Sequence, residues 1–147
     1  MSGSTVETAE MRFTLPKGFV AHDNVAGYFS LESKGGEMFI SYKNDDIEGV
    51  VNATVNNCES LLESFGSEYF SYEKYELDCS GVKVSAVKHI STSPEYNRAV
   101  HFYYIPYDTG YYSISVGINS SHLKGFDFDK MIENIVLKPT ASKGATA

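Results

Sequence analysis

The segment Tyr112-Ser-Ile-Ser-Val-Gly-Ile118 alternates apolar and small side chains along its whole length. Side chains of a β-strand point to opposite faces in turn, so this period of two predicts a strand with one buried face. The preceding run places Val100, Phe102 and Tyr104 on one face in the same way, and Asp108-Thr-Gly110 supplies a turn between the two runs. Two strands joined by a short turn pair antiparallel, and this hairpin decides the fold class.

Outward from this hairpin, the periodicity changes twice. Apolar residues recur every three or four positions in one stretch, which predicts an amphipathic helix over about 48–65: Val51, Val55, Cys58, Leu62 and Phe65. A second helix is predicted from Asp127 to about 137, ahead of Pro139. Three strands precede the first helix and four separate the two helices, which gives the order β-β-β-α-β-β-β-β-α. We therefore predict an α+β fold in which two helices flank one antiparallel sheet of six to seven strands.

Composition limits the class of protein. The 147 residues are 42% hydrophobic and carry a formal net charge of −7, which fits one soluble domain and opposes phosphate binding. We therefore expect no nucleic-acid partner. No apolar run approaches the roughly 20 residues that a membrane helix needs. We expect residues 1–10 to be a leader, 11–139 a single domain and 140–147 a flexible C-terminal tail.

Three local sequences and the order of elements resemble the PsbP-like superfamily. The chain contains an opening Phe13-Thr-Leu-Pro-Lys-Gly-Phe19, the turn Asp108-Thr-Gly-Tyr-Tyr112 and a closing amphipathic helix over 128–136. The opening is similar to that of DcrB-like exported bacterial lipoprotein domains. The resemblance spans residues 11–139 and implies an α/β/α sandwich that serves as an exported accessory or binding domain. It supplies no catalytic or ligand-binding residues.

The two cysteines, Cys58 and Cys79, are predicted to form a disulfide. Cys58 lies on the apolar stripe of the first helix, and Cys79 shares a strand face with Tyr75 and Leu77, which we expect to face the same layer. A helix packed on a sheet can bring two such Cα atoms to about 5.5 Å. The alternative is that both are free, buried thiols in a reducing compartment.

Tyrosine is unusually abundant, with 11 residues, seven of which lie in the second half of the chain. Alternation directs Tyr104 and Tyr112 toward the core and leaves Tyr103, Tyr107 and Tyr111 as a candidate binding surface. Exposed tyrosine on a rigid strand is typical of surfaces that recognise proteins or glycans. The alternative is that helices cover both faces of the sheet and that these rings border the core.

The polar residues assemble no recognisable catalytic or metal site. His89 and His101 are predicted to lie near each other on adjacent strands, on the same face, but two imidazoles lack the further ligands that zinc or copper requires. Asp127 and Asp129 are explained as the cap and a first-turn residue of the second helix. No nucleophile elbow or zinc-binding spacing is present. We expect no metal, no cofactor and no enzymatic activity.

Three functions are compatible with these features. The first is a non-enzymatic bacterial domain, secreted or anchored at the cell envelope, whose partner is a protein or a glycan; a lipid anchor in a longer precursor fits the DcrB-like resemblance. The second is an intracellular chaperone or regulator of the same fold, which free cysteines would favour. The third, an enzyme without a recognisable motif, is ranked last.

Overall fold

The computed structural model describes residues 5–7, 11–16, 18–21, 27–31, 36–93, 96–119 and 126–138. The elements in this part of the chain are, in order, β1 (Thr5–Glu7), β2 (Met11–Thr14), β3 (Phe19–Ala21), β4 (Tyr28–Leu31), β5 (Gly36–Lys43), α1 (Ile47–Phe65), β6 (Phe70–Cys79), β7 (Val82–Ser93), β8 (Tyr96–Tyr107), β9 (Gly110–Ile118), α2 (Phe128–Glu133) and β10 (Val136–Leu137). The predicted tail at 140–147 lies outside the described residues, and β1 falls within the predicted leader.

Seven strands form one antiparallel sheet in the order β3-β4-β5-β9-β8-β7-β6. The hairpin of β8 and β9 lies near its centre, where Ile114 pairs with Tyr103 on one side and with Ile40 on the other. Three strands of this sheet precede α1 and four follow it. The predicted order of elements and the predicted α+β class are therefore confirmed.

The first predicted strand divides into two strands that belong to different sheets. β2 pairs with β1 and β10 in a small antiparallel sheet, whereas β3 begins the seven-stranded sheet. Pro16 and Gly18 lie between β2 and β3, and Gly18 has a φ of 97°, which residues other than glycine rarely adopt. The prediction of one continuous sheet was wrong here, because this turn separates two layers.

α1 forms where the apolar stripe predicts it. Asp46 caps the first turn by accepting hydrogen bonds from the amides of Glu48 and Gly49, each at 3.2 Å. The helix ends at Gly66, where φ is 86° and the amide donates to the carbonyl of Leu62. α1 packs against β6, β7 and β8, so it covers one side of that half of the sheet.

α2 is shorter than predicted. Asp127 caps it by accepting a hydrogen bond from the amide of Lys130 at 3.0 Å, which confirms the predicted start. The helix ends at Glu133 rather than near 137, because Val136 and Leu137 are extended and pair with β2. This pairing makes β10 a strand of the small sheet, which lies with α2 on the side of the large sheet opposite α1.

The seven-stranded sheet therefore carries a separate core on each side, which we call the α2 face and the α1 face. The α2 face packs against α2 and the small sheet, and its buried side chains include Met38, Tyr103, Ile105, Ile114, Phe128 and Ile132. The α1 face packs against α1, and its buried side chains include Val51, Cys58, Phe70, Val87, Tyr104 and Tyr111.

The predicted disulfide is wrong, because the two cysteines lie on opposite faces of the sheet. Cys58 is buried on the α1 face, and Cys79 is buried on the α2 face, where its thiol donates to the carbonyl of Ile135 at 3.3 Å. Cys79 does share its face with Tyr75 and Leu77, as predicted, but that face turns away from α1. Both cysteines are free.

Unfolding in denaturant without reductant should therefore expose two reactive thiols per chain. In the folded protein Cys58 and Cys79 have 0% exposure, and burial raises the pKa of each thiol, so reaction with a thiol reagent should be slow. Titration with a chromogenic disulfide reagent, before and after adding denaturant, measures both states. Unfolded, non-reduced protein without reactive thiols would contradict the separation of the two cysteines.

Gly27 should tolerate no side chain. Its φ is 75°, and a Cβ atom there would overlap the carbonyl oxygen of Ile40, whose amide donates to the Gly27 carbonyl at 2.7 Å. Gly27→Ala should lower the free energy of unfolding by more than about 3 kcal/mol in urea denaturation. Gly81→Ala is the matched control, since φ is 84° there with no atom within 4 Å, and it should cost only about 1–2 kcal/mol. Equal losses would refute the close approach of β4 and β5.

Candidate functional site

The structure buries two of the three tyrosines predicted to form a binding surface. Tyr103 is 0% exposed on the α2 face, and Tyr111 is 2% exposed on the α1 face. The hydroxyl of Tyr111 donates to Asp45 at 2.7 Å, and burial together with this carboxylate raises the pKa of Tyr111 to about 12. The expected exposure is therefore wrong for both residues, because packed elements cover both sides of the sheet at these positions.

Tyr107, the third of these tyrosines, is half-buried at the end of β8. Its hydroxyl donates to the carbonyl of Lys138 at 2.7 Å, and its ring centroid lies 5.6 Å from that of Tyr112. Its own carbonyl accepts a hydrogen bond from the hydroxyl of Tyr42 at 3.1 Å. These contacts hold the β8–β9 turn against β5 and Lys138, so they give Tyr107 a role in packing.

His89 and His101 lie on opposite faces of the sheet, not on one face as predicted. The register places Lys88 opposite His101 and Val100 opposite His89. The observed register of β7 and β8 differs by one residue from the predicted register, and a shift of one residue moves a side chain to the other face of the sheet. Within the described residues, no three His, Cys, Asp or Glu side chains are grouped so that they could hold a metal ion.

His101 belongs to a hydrogen-bonded network between the sheet and α2. Tyr75 and Tyr103 donate their hydroxyl protons to the same Oδ1 atom of Asp129, at 2.6 and 2.7 Å. Because the proton of Tyr103 is used there, Nδ1 of His101 donates to the Tyr103 oxygen, 3.1 Å away. The Nε2 atom of His101 is then a bare acceptor, buried and without a hydrogen-bond partner among the described residues.

Burial controls the protonation of this network. It lowers the pKa of His101 to about 4, with Lys88 acting in the same direction and Asp129 opposing. Burial, and next the hydrogen bond to Asp129, raise the pKa of Tyr75, and burial also raises the pKa of Tyr103. At neutral pH the imidazole and both phenols are therefore uncharged. With His101 only 6% exposed, the network fastens α2 to the sheet and offers no imidazole to a substrate.

A cavity of about 340 Å³ lies beside this network on the outer strands β6 and β7. Its lining residues are Ser71, Tyr72, Glu73, Lys88 and Ile90. The two charges in it lie close to each other, since Nζ of Lys88 is 3.7 Å from the carboxylate of Glu73. Among the described residues, the lining includes no histidine or cysteine, and its polar side chains are those of Ser71, Tyr72 and the ion-paired Glu73 and Lys88.

Within the described residues, α1 leaves one part of the sheet uncovered. On the α1 face, Phe102 of β8 lies opposite Ser115 of β9. The next cross-strand neighbours away from α1 are Phe39 of β5 and Tyr28 of β4. The residues of β4, β5 and β9 on this face that α1 does not cover form what we call the open strip: Tyr28, Phe39, Ser41, Ser113 and Ser115. All five are half-buried or exposed.

Phe39 is the most exposed large apolar side chain of the described residues, at 46%. Its ring centroid lies 4.8 Å from that of Tyr28, and the two planes are inclined by 31°. The nearby Arg98 is held by Glu37 at 2.8 Å. An exposed phenylalanine ring beside a half-buried tyrosine on a rigid sheet is suited to contact with another macromolecule. The sequence signal for it is an aromatic residue where strand alternation calls for a polar one.

The net charge of the chain is concentrated in α1 and the residues that flank it in the sequence. Between Lys43 and Lys74 there is no lysine or arginine, and the acidic residues of this segment are Asp45, Asp46, Glu48, Glu59, Glu63, Glu68 and Glu73. Outside it, the acidic and basic residues are equal in number, so α1 and its flanks account for the whole charge of −7. The total charge alone does not reveal this asymmetry, but the absence of cations from 44 to 73 does.

The stability of the fold should depend on pH through His101. The unfolded chain binds a proton near pH 6.5, whereas the folded chain binds it only near pH 4. The free energy of unfolding should therefore fall as the pH drops through this window, by up to about 3 kcal/mol from this residue. In urea denaturation at several pH values, wild type should lose more stability than His101→Gln between pH 7 and pH 4.5. A difference that stays constant with pH would contradict the buried, neutral imidazole.

No protein-family model matches this chain, and no curated protein matches its sequence. Solved structures with a similar fold include the solution structure of cyanobacterial PsbP (CyanoP) from Synechocystis sp. PCC 6803, with a TM-score of 0.59, 9% identity and 93% of each chain covered. They also include the Ran-binding protein Mog1p from Saccharomyces cerevisiae, with a TM-score of 0.55 and 11% identity over 96% of this chain and 98% of Mog1p. At such identities the likeness concerns the fold alone. The chain thus has the PsbP-like fold that its order of elements predicted.

Proposed function

We propose that this chain is a non-enzymatic protein-binding domain that docks its partner on the α1 face, at the open strip. The observation that carries the proposal is the exposed ring of Phe39, which lies beside the ring of Tyr28 on a part of the sheet that α1 does not cover. Burying such a ring against a partner removes apolar surface from water, and aromatic residues are enriched among those that dominate binding energy.

The partner is a protein rather than a glycan. The three tyrosines predicted to form a binding surface supply no platform for a sugar, because Tyr103 and Tyr111 are buried and Tyr107 is bonded internally. Phe39 has no polar atom in its side chain and therefore contributes apolar contact. One structural neighbour, Mog1p, is described as Ran-binding, which supports protein recognition as a use of this fold.

Two features of the chain support different compartments. The DcrB-like opening sequence supports an exported bacterial domain at the cell envelope, with a lipid anchor in a longer precursor. The second candidate is an intracellular regulator, and the observation that favours it is that Cys58 and Cys79 are unbridged. Both candidates use the same binding surface, so the docking experiment does not depend on the choice between them.

Phe39→Ser should weaken partner binding at least about tenfold, because it removes the apolar anchor of the surface. The assay immobilises the protein, passes extract of the cells that produce it over the resin, and quantifies each retained protein by mass spectrometry. Thermal unfolding of the variant should match that of wild type, since the Phe39 ring is largely solvent-exposed.

Val136→Ser is the matched control. Val136 is 43% exposed, close to the 46% of Phe39, but it belongs to the small sheet on the other side of the molecule. It should retain the same proteins as wild type. Equal retention by wild type and Phe39→Ser, or loss on Val136→Ser alone, would rule out the open strip as the docking surface.

A further inference from the structure

The side chain of Arg98 crosses a strand of the large sheet on the α1 face. Arg98 belongs to β8, and its Nη2 atom donates to Oε1 of Glu37 in β5 at 2.8 Å, so it reaches across β9, which lies between them. The side chain of Arg98 is only 26% exposed. A guanidinium has five N–H donors, and within the described residues this is the one hydrogen bond that uses them. Most donors of this half-buried group are therefore left for water or for another molecule.

Gly117 of β9 provides the place where this guanidinium lies. A Cβ atom at Gly117 would be 2.4 Å from Nη2 of Arg98 and 3.0 Å from both Cζ and Nε. Gly117 pairs with Val100 and Glu37 as an ordinary strand residue, and its φ is not positive. The backbone conformation therefore does not require glycine at this position. Glycine is needed for space, because the guanidinium lies directly on the strand.

The strand register places this guanidinium beside Phe39. Gly117 lies opposite Glu37. Ser115, two residues earlier in β9, lies opposite Phe39. Residues two positions apart on one strand face are separated by about 7 Å, so the exposed ring and the guanidinium are neighbours on the α1 face. Arginine is, with tryptophan and tyrosine, the residue type most enriched among those that dominate binding energy.

We infer that Arg98 determines specificity beside the open strip, and that the protein partner places an aspartate or glutamate carboxylate on its guanidinium while an apolar group meets Phe39. This inference rests on the proposed function, since it names the chemistry of the partner at the same surface. A carboxylate fits because it can accept two parallel hydrogen bonds from a guanidinium, and such charge-assisted bonds are about twice as strong as neutral ones. A nucleic acid is disfavoured, because the net charge of −7 repels a polyanion.

The inference is tested with 3-phenylpropionate, which carries one apolar ring and one carboxylate. It is titrated into isotope-labelled protein and followed by the amide signals in NMR spectra, and the shifted signals should centre on Phe39, Arg98 and Gly117. The neutral compound 3-phenylpropionamide should bind at least about fivefold more weakly, because it cannot form the charge-assisted pair. Equal affinities of the two compounds, or shifts centred on another part of the chain, would overturn the inference.

Arg98→Gln should weaken the binding of 3-phenylpropionate at least about fivefold, and Lys88→Gln is its matched control. Lys88 is also ion-paired with a glutamate, and its side chain is 34% exposed, but it lies on the α2 face over the ring of Tyr75. The control should change the affinity less than twofold. Equal weakening by both variants would reduce the effect to the loss of one positive charge and would refute a site at Arg98.

Two further variants distinguish carboxylate recognition from an ion pair that serves only the fold. Glu37→Gln keeps an oxygen acceptor for Nη2 but removes the competing charge, so the affinity for 3-phenylpropionate should rise about threefold. Gly117→Ala keeps every charge but places a methyl group where the guanidinium lies. Its affinity should fall while its melting temperature changes little, since the flexible end of Arg98 can move aside. Unchanged affinity in both variants would show that Arg98 serves only the ion pair.

The retention assay then separates this inference from the proposed function. Release of the partner by Phe39→Ser and by Arg98→Gln, but not by Lys88→Gln, is the expected result. If Phe39→Ser releases the partner and Arg98→Gln does not, the acidic group is wrong and the docking surface stands. If Phe39→Ser releases nothing, the docking surface itself is wrong.

Discussion

A strand that is buried on both sides must supply side chains to two cores at once, and β8 does so near the centre of the sheet. Tyr103 points to the α2 face, and its buried hydroxyl needs an acceptor, which Asp129 provides at 2.7 Å. Tyr104 points to the α1 face, where its hydroxyl lies 2.7 Å from that of Thr54 in α1. Each helix is thus fastened to the sheet through a neighbouring tyrosine of one strand, and the positions of both helices depend on the alternation of β8.

The width of the sheet explains why a surface remains uncovered. Seven strands about 4.8 Å apart extend for about 30 Å, whereas a helix with its side chains is about 10–12 Å wide. On the α2 face the small sheet adds to the cover that α2 provides. On the α1 face, α1 is the only described element that packs on the sheet, and it lies over β6, β7 and β8. Phe39 is on the remaining part, and a bound partner would remove its ring from water.

Periodicity predicted which residues share a face, but it could not predict which layer covers that face. Cys79 and Leu77 do lie on one side of β6, yet that side meets α2 rather than α1, so the disulfide prediction failed. An error of one residue in the predicted register of β7 and β8 was enough to place His89 and His101 on the wrong faces relative to each other. The bounds of α1 were predicted to within one residue, because its apolar stripe runs along the whole helix and its N-cap, Asp46, directly precedes it in the sequence. Phe39 was missed because alternation shows only that it faces away from Met38 and Ile40, and not whether another element covers that face.

The central claim is that the α1 face is where this protein meets its partner. The most direct measurement places a photo-activated cross-linking amino acid at position 39 or at position 136 of the full chain, irradiates producing cells, and identifies the adducts by mass spectrometry. The two positions have similar exposure and belong to the large and the small sheet, respectively. A protein adduct that forms from position 39, and not from position 136, is the predicted result. An adduct that forms from position 136 alone would contradict the claim.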